Sequence, residues 1–243
     1  AGETVVINGT KRWTSLANIS DYVYALVRTG PAENKRRNLS FVLVPTDAPG
    51  VSITTIPTMG DKGVGICEVR FDNVETSFDN VVGGEPRWNG GWEMLTGPAL
   101  EVEKLGVPAM SLGIAEAAVA EAWQYSQERS QFGVKICTHQ AVRHALANAQ
   151  TKLQACRHMV YHAGLLVERH QPSAVETSMA KLFVCETAKE IVQSCQQVMG
   201  AAGYAKGYGM ERYVRDSIAL PIVGGSSAIQ RNNIATLMKL PRN

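Results

Sequence analysis

The hydrophobic period of this chain changes once, near Val82-Gly-Gly-Glu-Pro-Arg-Trp-Asn-Gly-Gly91, and that change constrains the fold more than any single residue does. Ahead of it, Cys67, Val69 and Phe71 alternate with Glu68, Arg70 and Asp72. A period of two buries one face of a strand and leaves the other in water. Tyr22 to Thr29, Leu39 to Pro45 and Val51 to Ile56 are further short apolar runs, separated by Gly, Pro, Asn and Asp. Val5 and Val6 run into Asn8-Gly9, a tight-turn signal. About five strand candidates of this kind predict an antiparallel sandwich or barrel, incomplete in its first half.

Beyond the change the period is helical. One segment runs from about Trp92 to Gln127 and a second from about His139 to Glu168. In the second, Val142, Leu146, Ala149, Leu153, Cys156, Val160, Ala163 and Val167 recur at alternating steps of four and three, the seam of a helix packed in an antiparallel bundle. A third helix starts at Ser173, where Glu176 three residues later makes a capping-box pattern, and ends at Gly200. A last one covers about Ser227 to Leu240. The expectation is an α+β, multi-domain chain: a truncated antiparallel β-sandwich or barrel over residues 1–84, then an antiparallel four-helix bundle over 85–243.

Composition narrows the function. The 243 residues are 45% hydrophobic and 19% charged, enough apolar material for a sizeable core. Lys+Arg is 24 against Asp+Glu 22, a net charge of +2, which calls for neither nucleic acid nor an anionic membrane. No apolar run approaches the ~20 residues that cross a bilayer, and the first residues lack the basic region and apolar core of a signal peptide. Five cysteines, an odd number with no Cys-x-x-Cys, argue against zinc ribbons and thioredoxin-like pairs. They point to a reducing, intracellular compartment, cytoplasmic or the mitochondrial matrix. His158 and His162 lie four apart off the Cys156/Val160 seam without a third ligand, so they read as a solvated face, and no metal is expected. The glycine clusters lack the strand–turn–helix context of a Rossmann fingerprint or a P-loop.

Five segments taken in chain order resemble the acyl-CoA dehydrogenase family of flavoproteins. They are Ile7-Asn-Gly-Thr-Lys-Arg-Trp-Thr-Ser15, Glu128-Arg-Ser-Gln-Phe-Gly133, Gln197-Val-Met-Gly-Ala-Ala-Gly-Tyr204, Val214-Arg-Asp216 and Gly224-Gly-Ser-Ser-Ala-Ile-Gln230. The resemblance spans nearly the whole chain. It implies a β-domain followed by a four-helix bundle, FAD as cofactor, an acyl-CoA substrate, an electron-transfer flavoprotein as electron acceptor, and a homotetramer or dimer of dimers. It also implies that the family's N-terminal helical domain and the opening strands of its β-domain are missing from this sequence.

The reaction so implied is α,β-dehydrogenation of a thioester: a carboxylate takes the α-proton while hydride passes from the β-carbon to flavin N5. Such a base needs a dry site that lifts its pKa toward that of the activated carbon acid. The thioester oxygen needs donors where negative charge develops. Most of the family keeps the base as Glu in an Ile-Tyr-Glu-Gly-Thr-Ser segment; here Ile222-Val-Gly-Gly-Ser-Ser227 puts Gly224 in its place. The isovaleryl-CoA dehydrogenase subgroup carries the Glu on the first bundle helix, in Leu-Asp-Leu-Glu-Arg. Leu100-Glu-Val-Glu-Lys104 aligns with it, and the resemblance makes Glu103 the base. On residue type alone, Glu101 and Glu103 are ordinary acids near a helix start; the glycine at 224 tips the reading to Glu103. Gly224 keeps a backbone N–H for the thioester oxygen.

By the same resemblance Lys104 stands where an Arg approaches the CoA phosphates, keeping the charge without the bidentate fork. Trp13 and Ser15 meet the isoalloxazine. Arg129, Gln131 and Phe132 reach the pyrophosphate and adenine of a neighbouring subunit's FAD. Gln197, Gly200 and Ala201 approach the adenine side, and Ser226 keeps a hydroxyl near the cofactor. Ala228 replaces the usual Glu or Gln and drops one polar contact. Without the family, Trp13 reads as a core or edge-strand aromatic, Arg129 as a helix-end cation and Lys104 as a solvated lysine. Two other functions stay open: a non-catalytic helical assembly subunit of a heteromer, for which Gly224 and Ala228 speak, and a flavin monooxygenase on the same fold, because fold does not fix chemistry.

Overall fold

The structure, a computed structural model, describes residues 4–241, the side chains of Pro98 and Ala99 excepted. The chain divides into two compact units, Ala1–Ala99 and Leu100–Asn243.

The first unit holds β1 (Thr4–Ser15), β2 (Tyr22–Arg28), β3 (Leu39–Pro45), β4 (Val51–Thr55), β5 (Ile66–Ser77) and the short helix α1 (Gly91–Leu95). One antiparallel sheet runs in the order β1-β5-β4, and β2 pairs with β3 in a second. Ile7, Val23, Val42, Val44, Cys67, Val69, Phe71 and Val74 meet in one apolar cluster, as the alternation in β5 requires. Asn8-Gly9 makes no turn, contrary to the sequence expectation: β1 continues through it. Ile7 pairs with Val74 and Gly9 with Phe71, so Asn8 faces two residues of β5. Asn73 takes φ +49. Its N–H donates to Asn8 Oδ1 at 2.8 Å and Asn8 Nδ2 donates to Asn73 Oδ1 at 3.2 Å. The dipeptide serves a β-bulge. A second bulge follows, where Arg12 pairs with Glu68 and Thr14 with Cys67, leaving Trp13 as the extra residue of β1.

The second unit is helical. It contains α2 (Pro98–Glu128) from Leu100 onward, a two-stranded hairpin of β6 (Ser130–Gln131) and β7 (Val134–Lys135), then α3 (Gln140–Glu168), α4 (Ala174–Met199), α5 (Met210–Ala219) and α6 (Ser227–Leu237). The expected single helix from Trp92 is in fact two, because Thr96 and Gly97 interrupt it and Pro98 opens α2. Proline suits a first helical position, where its missing N–H costs nothing. On α3 the predicted seam holds as far as Ala163: Leu146, Ala149, Leu153, Cys156 and Ala163 are buried, and Val142 and Val160 pack against the same core, whereas Val167 is half-buried and outside it. Leu112, Ala115, Ala118, Val119 and Ala122 of α2 and Val184, Ala188, Ile191, Val192 and Cys195 of α4 complete it. By length and composition alone the stretch Gly91–Glu128 is apolar enough to cross a membrane, yet these α2 residues are spent in the bundle core.

Two local expectations are corrected. Ser173 stands at the N-cap of α4, but its side chain makes no capping bond. Its backbone (φ −136°, ψ −1°) departs from the extended geometry of a cap, and the hydroxyl is buried instead. The helix α5 was not expected as an element; at ten residues it is too short to show a long seam. Both α5 and α6 pack against α4; the expected fourth helix is present as α6, and α5 is added to it. All five thiols are free, and only Cys137 is not buried. Burial pushes Cys156 up to about 11 and Cys195 to about 12, the behaviour of small hydrophobes rather than nucleophiles.

Candidate active site

The first turns of α2 separate two acids that residue type alone left equivalent. Successive residues on a helix are 100° apart, so Glu101 and Glu103 face very different directions. Glu101 Oε1 lies 2.9 Å from Lys104 Nζ, and its other oxygen accepts from the fully buried Thr177 hydroxyl on α4. Glu103 is exposed and has neither hydrogen bond nor ion pair among the described residues. Glu101 is a strut between α2 and α4; Glu103 is the uncommitted carboxylate. Lys104 departs from both expectations made for it. It is only 6% exposed, not solvated, and its charge is neutralised by Glu101 rather than left open for a phosphate.

Gly224 lies on the loop between α5 and α6 at φ +60. A Cβ there would stand 3.1 Å from Val107 Cγ2. Left-handed backbone and a neighbour at that distance both select glycine. Val107 follows Glu103 by one turn of α2, so the carboxylate and the glycine flank the same stretch of helix. Among the described residues the Gly224 N–H has no acceptor. Ser226 caps α6, its Oγ accepting from the Ile229 N–H at 3.5 Å; the hydroxyl proton stays available.

The other predicted residues of this unit gather at the far end of α2. In the β6–β7 hairpin, Phe132 and Gly133 take φ +54 and +83, the left-handed pair of a tight hairpin turn. The turn presents Phe132 93% exposed, with the His139 ring edge-on at 6.0 Å. Arg129 is exposed and forms no ion pair among the described residues. Gln131 Nε2 donates to the Ser130 carbonyl at 2.8 Å. Gln197 and Ala201 are exposed, and Gly200 (φ +57) has nothing within 4 Å of where a Cβ would be. The loop beyond Gly200 is pinned to the same end of α2: Tyr208 meets Tyr125 edge-on at 5.8 Å, and the Gly209 N–H donates to Glu121 Oε1 at 2.9 Å.

Trp13 and Ser15 belong to the first unit. As the bulged residue, Trp13 adopts φ +66 and turns its ring outward, 65% exposed, with the Arg12 guanidinium 5.3 Å over it. It is neither a core nor a paired edge aromatic. Bulges commonly re-aim a side chain in this way. Ser15 is exposed at the end of β1. A cleft of this unit, about 870 Å³, is lined by Ile7, Lys11, Thr29, Phe71 and Trp88 among others and includes none of the predicted site residues.

The structure therefore groups Glu103 with Gly224, and Arg129, Gln131 and Phe132 with Gln197, Gly200 and Ala201. It does not bring those two groups together. Between Glu103 and the last residue of α2 lie about 38 Å of helix at 1.5 Å per residue. Sequence reasoning passed over Lys181 and left Gln230 without a role; both are wholly buried beside the Gly224 loop. A lone lysine inside Met179-Ala-Lys-Leu-Phe-Val184 was the available signal for the first.

Residues 1–74 match the family described as "Acyl-CoA dehydrogenase, middle domain" and residues 89–239 match "Acyl-CoA dehydrogenase, C-terminal domain". Cyclohexane-1-carbonyl-CoA dehydrogenase of Geobacter metallireducens is 34% identical over 235 residues, 96% of this chain and 60% of that protein. The mitochondrial short/branched chain specific acyl-CoA dehydrogenase of Rattus norvegicus is 33% identical, over 97% of this chain and 54% of its own length. The crystal structure of acyl-CoA dehydrogenase from Geobacillus kaustophilus superposes with a TM-score of 0.93 at 25% identity, over 99% of this chain and 63% of that one. The chain thus spans a little over half the length of the curated relatives it matches. With a β-unit and a helical unit each matched by its own family domain, the chain belongs to the acyl-CoA dehydrogenase family, of which it carries the middle and C-terminal parts.

Proposed function

We propose that the protein carrying this chain is an FAD-dependent acyl-CoA dehydrogenase in which Glu103 takes the α-proton. The observation that carries this reading is the division of labour on α2: Glu101 is bound to Lys104 and Thr177, while Glu103 is free and shares its stretch of helix with Gly224. Gly224 offers an unspent N–H to the thioester oxygen, where charge builds as the proton leaves. Glu103 stands in water in this chain, so the desolvation a base needs is supplied by bound thioester, flavin and the rest of the protein.

The residues at the far end of α2 fit a dinucleotide. An unpaired Arg129 suits a diphosphate through its planar fork, the exposed Phe132 ring offers a stacking face, and the open space at Gly200 admits close approach of a ligand to backbone. The resemblance assigns Trp13 and Ser15 of the β-unit to the flavin as well. The flavin, when bound, supplies the hydride acceptor. Glu103 and Arg129 are too far apart along α2 to serve one flavin within one chain. A second copy therefore contributes the Arg129 end, consistent with a homotetramer or dimer of dimers. An electron-transfer flavoprotein is the proposed electron acceptor.

The test is the absorbance of the purified full-length protein: a flavin band near ~450 nm that bleaches anaerobically on adding an acyl-CoA. A colourless protein rejects this reading in favour of an assembly subunit, and a product that requires oxygen points to a monooxygenase. Arg129→Ala is expected to weaken flavin binding about tenfold or more, since a hydrogen bond to a charged group contributes ~1.5–3 kcal/mol. Fluorescence titration of the apoprotein with FAD measures it, and unchanged affinity removes Arg129 from the site.

A further inference from the structure

The loop that carries Gly224 contains the most pliable dipeptide a chain can offer, Gly224-Gly225, with φ of +60 and +84. Left alone, such a segment would let the Gly224 N–H wander. Two buried side chains hold it from either end, and neither makes any other hydrogen bond among the described residues. Lys181 on α4 is 0% exposed. Its Nζ donates to the Leu220 carbonyl at 2.9 Å, at the point where α5 has just ended and where a helix presents its negative end to a cation. Burial lowers the Lys181 pKa, as it does for an ammonium taken out of water. Gln230 on α6 is 1% exposed. Its Nε2 donates to the Gly225 carbonyl at 2.9 Å and more weakly to that of Gly224 at 3.4 Å. Its Oε1 is buried with no partner. The side chain is thus placed for its donor alone, at the expense of an orphaned acceptor.

Peptide planarity converts these bonds into orientation. Fixing a carbonyl fixes the whole plane, with the following N–H pointing the opposite way. Gln230 sets the planes on the C-terminal side of Gly224. On the N-terminal side the Val223 N–H donates to the Ala219 carbonyl at 3.1 Å, just beside the carbonyl that Lys181 holds. The peptide between them, which bears the Gly224 N–H, has little freedom left. We infer that Lys181 and Gln230 are positioning residues, a two-point clamp on residues 220–225 that keeps the Gly224 N–H aimed for the thioester oxygen. Neither touches substrate in this scheme. The inference rests on the function proposed above.

The test uses the full-length flavin-loaded protein and two variants that lose the donor, Gln230→Met, which keeps side-chain length, and Lys181→Met, which is one atom shorter. Hydrogen exchange read by mass spectrometry is expected to speed up about tenfold or more in the peptide over residues 220–227 and to stay unchanged in α3, since local openings report local stability. Rapid mixing with excess acyl-CoA is expected to show flavin reduction slowed about tenfold to a hundredfold, with the thioester Kd moving less than about threefold, the pattern of an interaction strengthened in the transition state. Unchanged exchange over 220–227 overturns the clamp. So does exchange that rises equally through α3, which marks a general loss of stability. Locally faster exchange with undiminished reduction breaks the link to catalysis. Should Lys181→Met not fold, Gln230→Met alone decides by the same criteria. If the parent protein itself fails to bleach with any acyl-CoA, the proposed function falls, and the exchange comparison still judges the clamp.

Discussion

Glu103→Gln is expected to cut flavin reduction by an acyl-CoA about a thousandfold, within the 10²–10⁴ that general-base catalysis contributes, with flavin content and unfolding temperature unchanged. The amide keeps the shape of the side chain and cannot take a proton. Because Glu103 has no hydrogen bond or ion pair among the described residues, nothing in the fold is lost with it. Glu101→Gln should do the reverse. It leaves Lys104, 6% exposed, without a counter-charge and weakens the bond from Thr177. Stripping one partner from a buried pair costs about 3 kcal/mol, so the unfolding temperature drops while turnover per bound flavin persists. Single-turnover reduction and thermal melts of both variants separate the roles. Glu103→Gln within tenfold of the parent places the base elsewhere.

The largest expected effect on stability comes from Gly50→Ala. Gly50 sits at φ +87, and a Cβ added to it would lie 2.2 Å from the Asp72 carbonyl oxygen. The obstacle is backbone of β5, held in place because the Asp72 N–H donates to the Gly50 carbonyl at 3.0 Å. Alanine meets a disfavoured conformation and an overlap that no rotamer relieves. A loss of about 4 kcal/mol or more is expected. It is read as a lowered unfolding temperature, or as loss of soluble protein. An unchanged melt would mean that the turn into β4 is not held against β5 as described.

The two-unit plan was legible because burial writes its period into the chain: two along Cys67, Val69 and Phe71, three and four along Leu146, Ala149, Leu153 and Cys156. What escaped depended on partners distant in sequence or on geometry that composition does not carry. Asn8-Gly9 has the local signature of a hairpin turn, and only Asn73, 65 residues on, makes it a bulge. Ser173 and Glu176 have capping-box spacing, but the Ser173 backbone is not extended as a cap's is and its side chain makes no capping bond. The break at Thr96-Gly97 was masked by apolar residues on either side. At the candidate site, motif order located the segments, while residue type could not divide Glu101 from Glu103. Lys181 and Gln230 acquire their meaning from carbonyls of a loop that neither adjoins.

Trp13 shows where stability has been given up. It is the surplus residue of β1, outside the ladder of β5, and it is a bulky side chain in a conformation that glycine or asparagine would adopt with far less strain. Within the sheet the ring meets the Arg12 guanidinium, 5.3 Å from its centroid, and a glycine at that point should relieve the backbone and make the β-unit sturdier. With the residue 65% exposed, a strained backbone holds a large flat face clear of the sheet, open to contact from outside it.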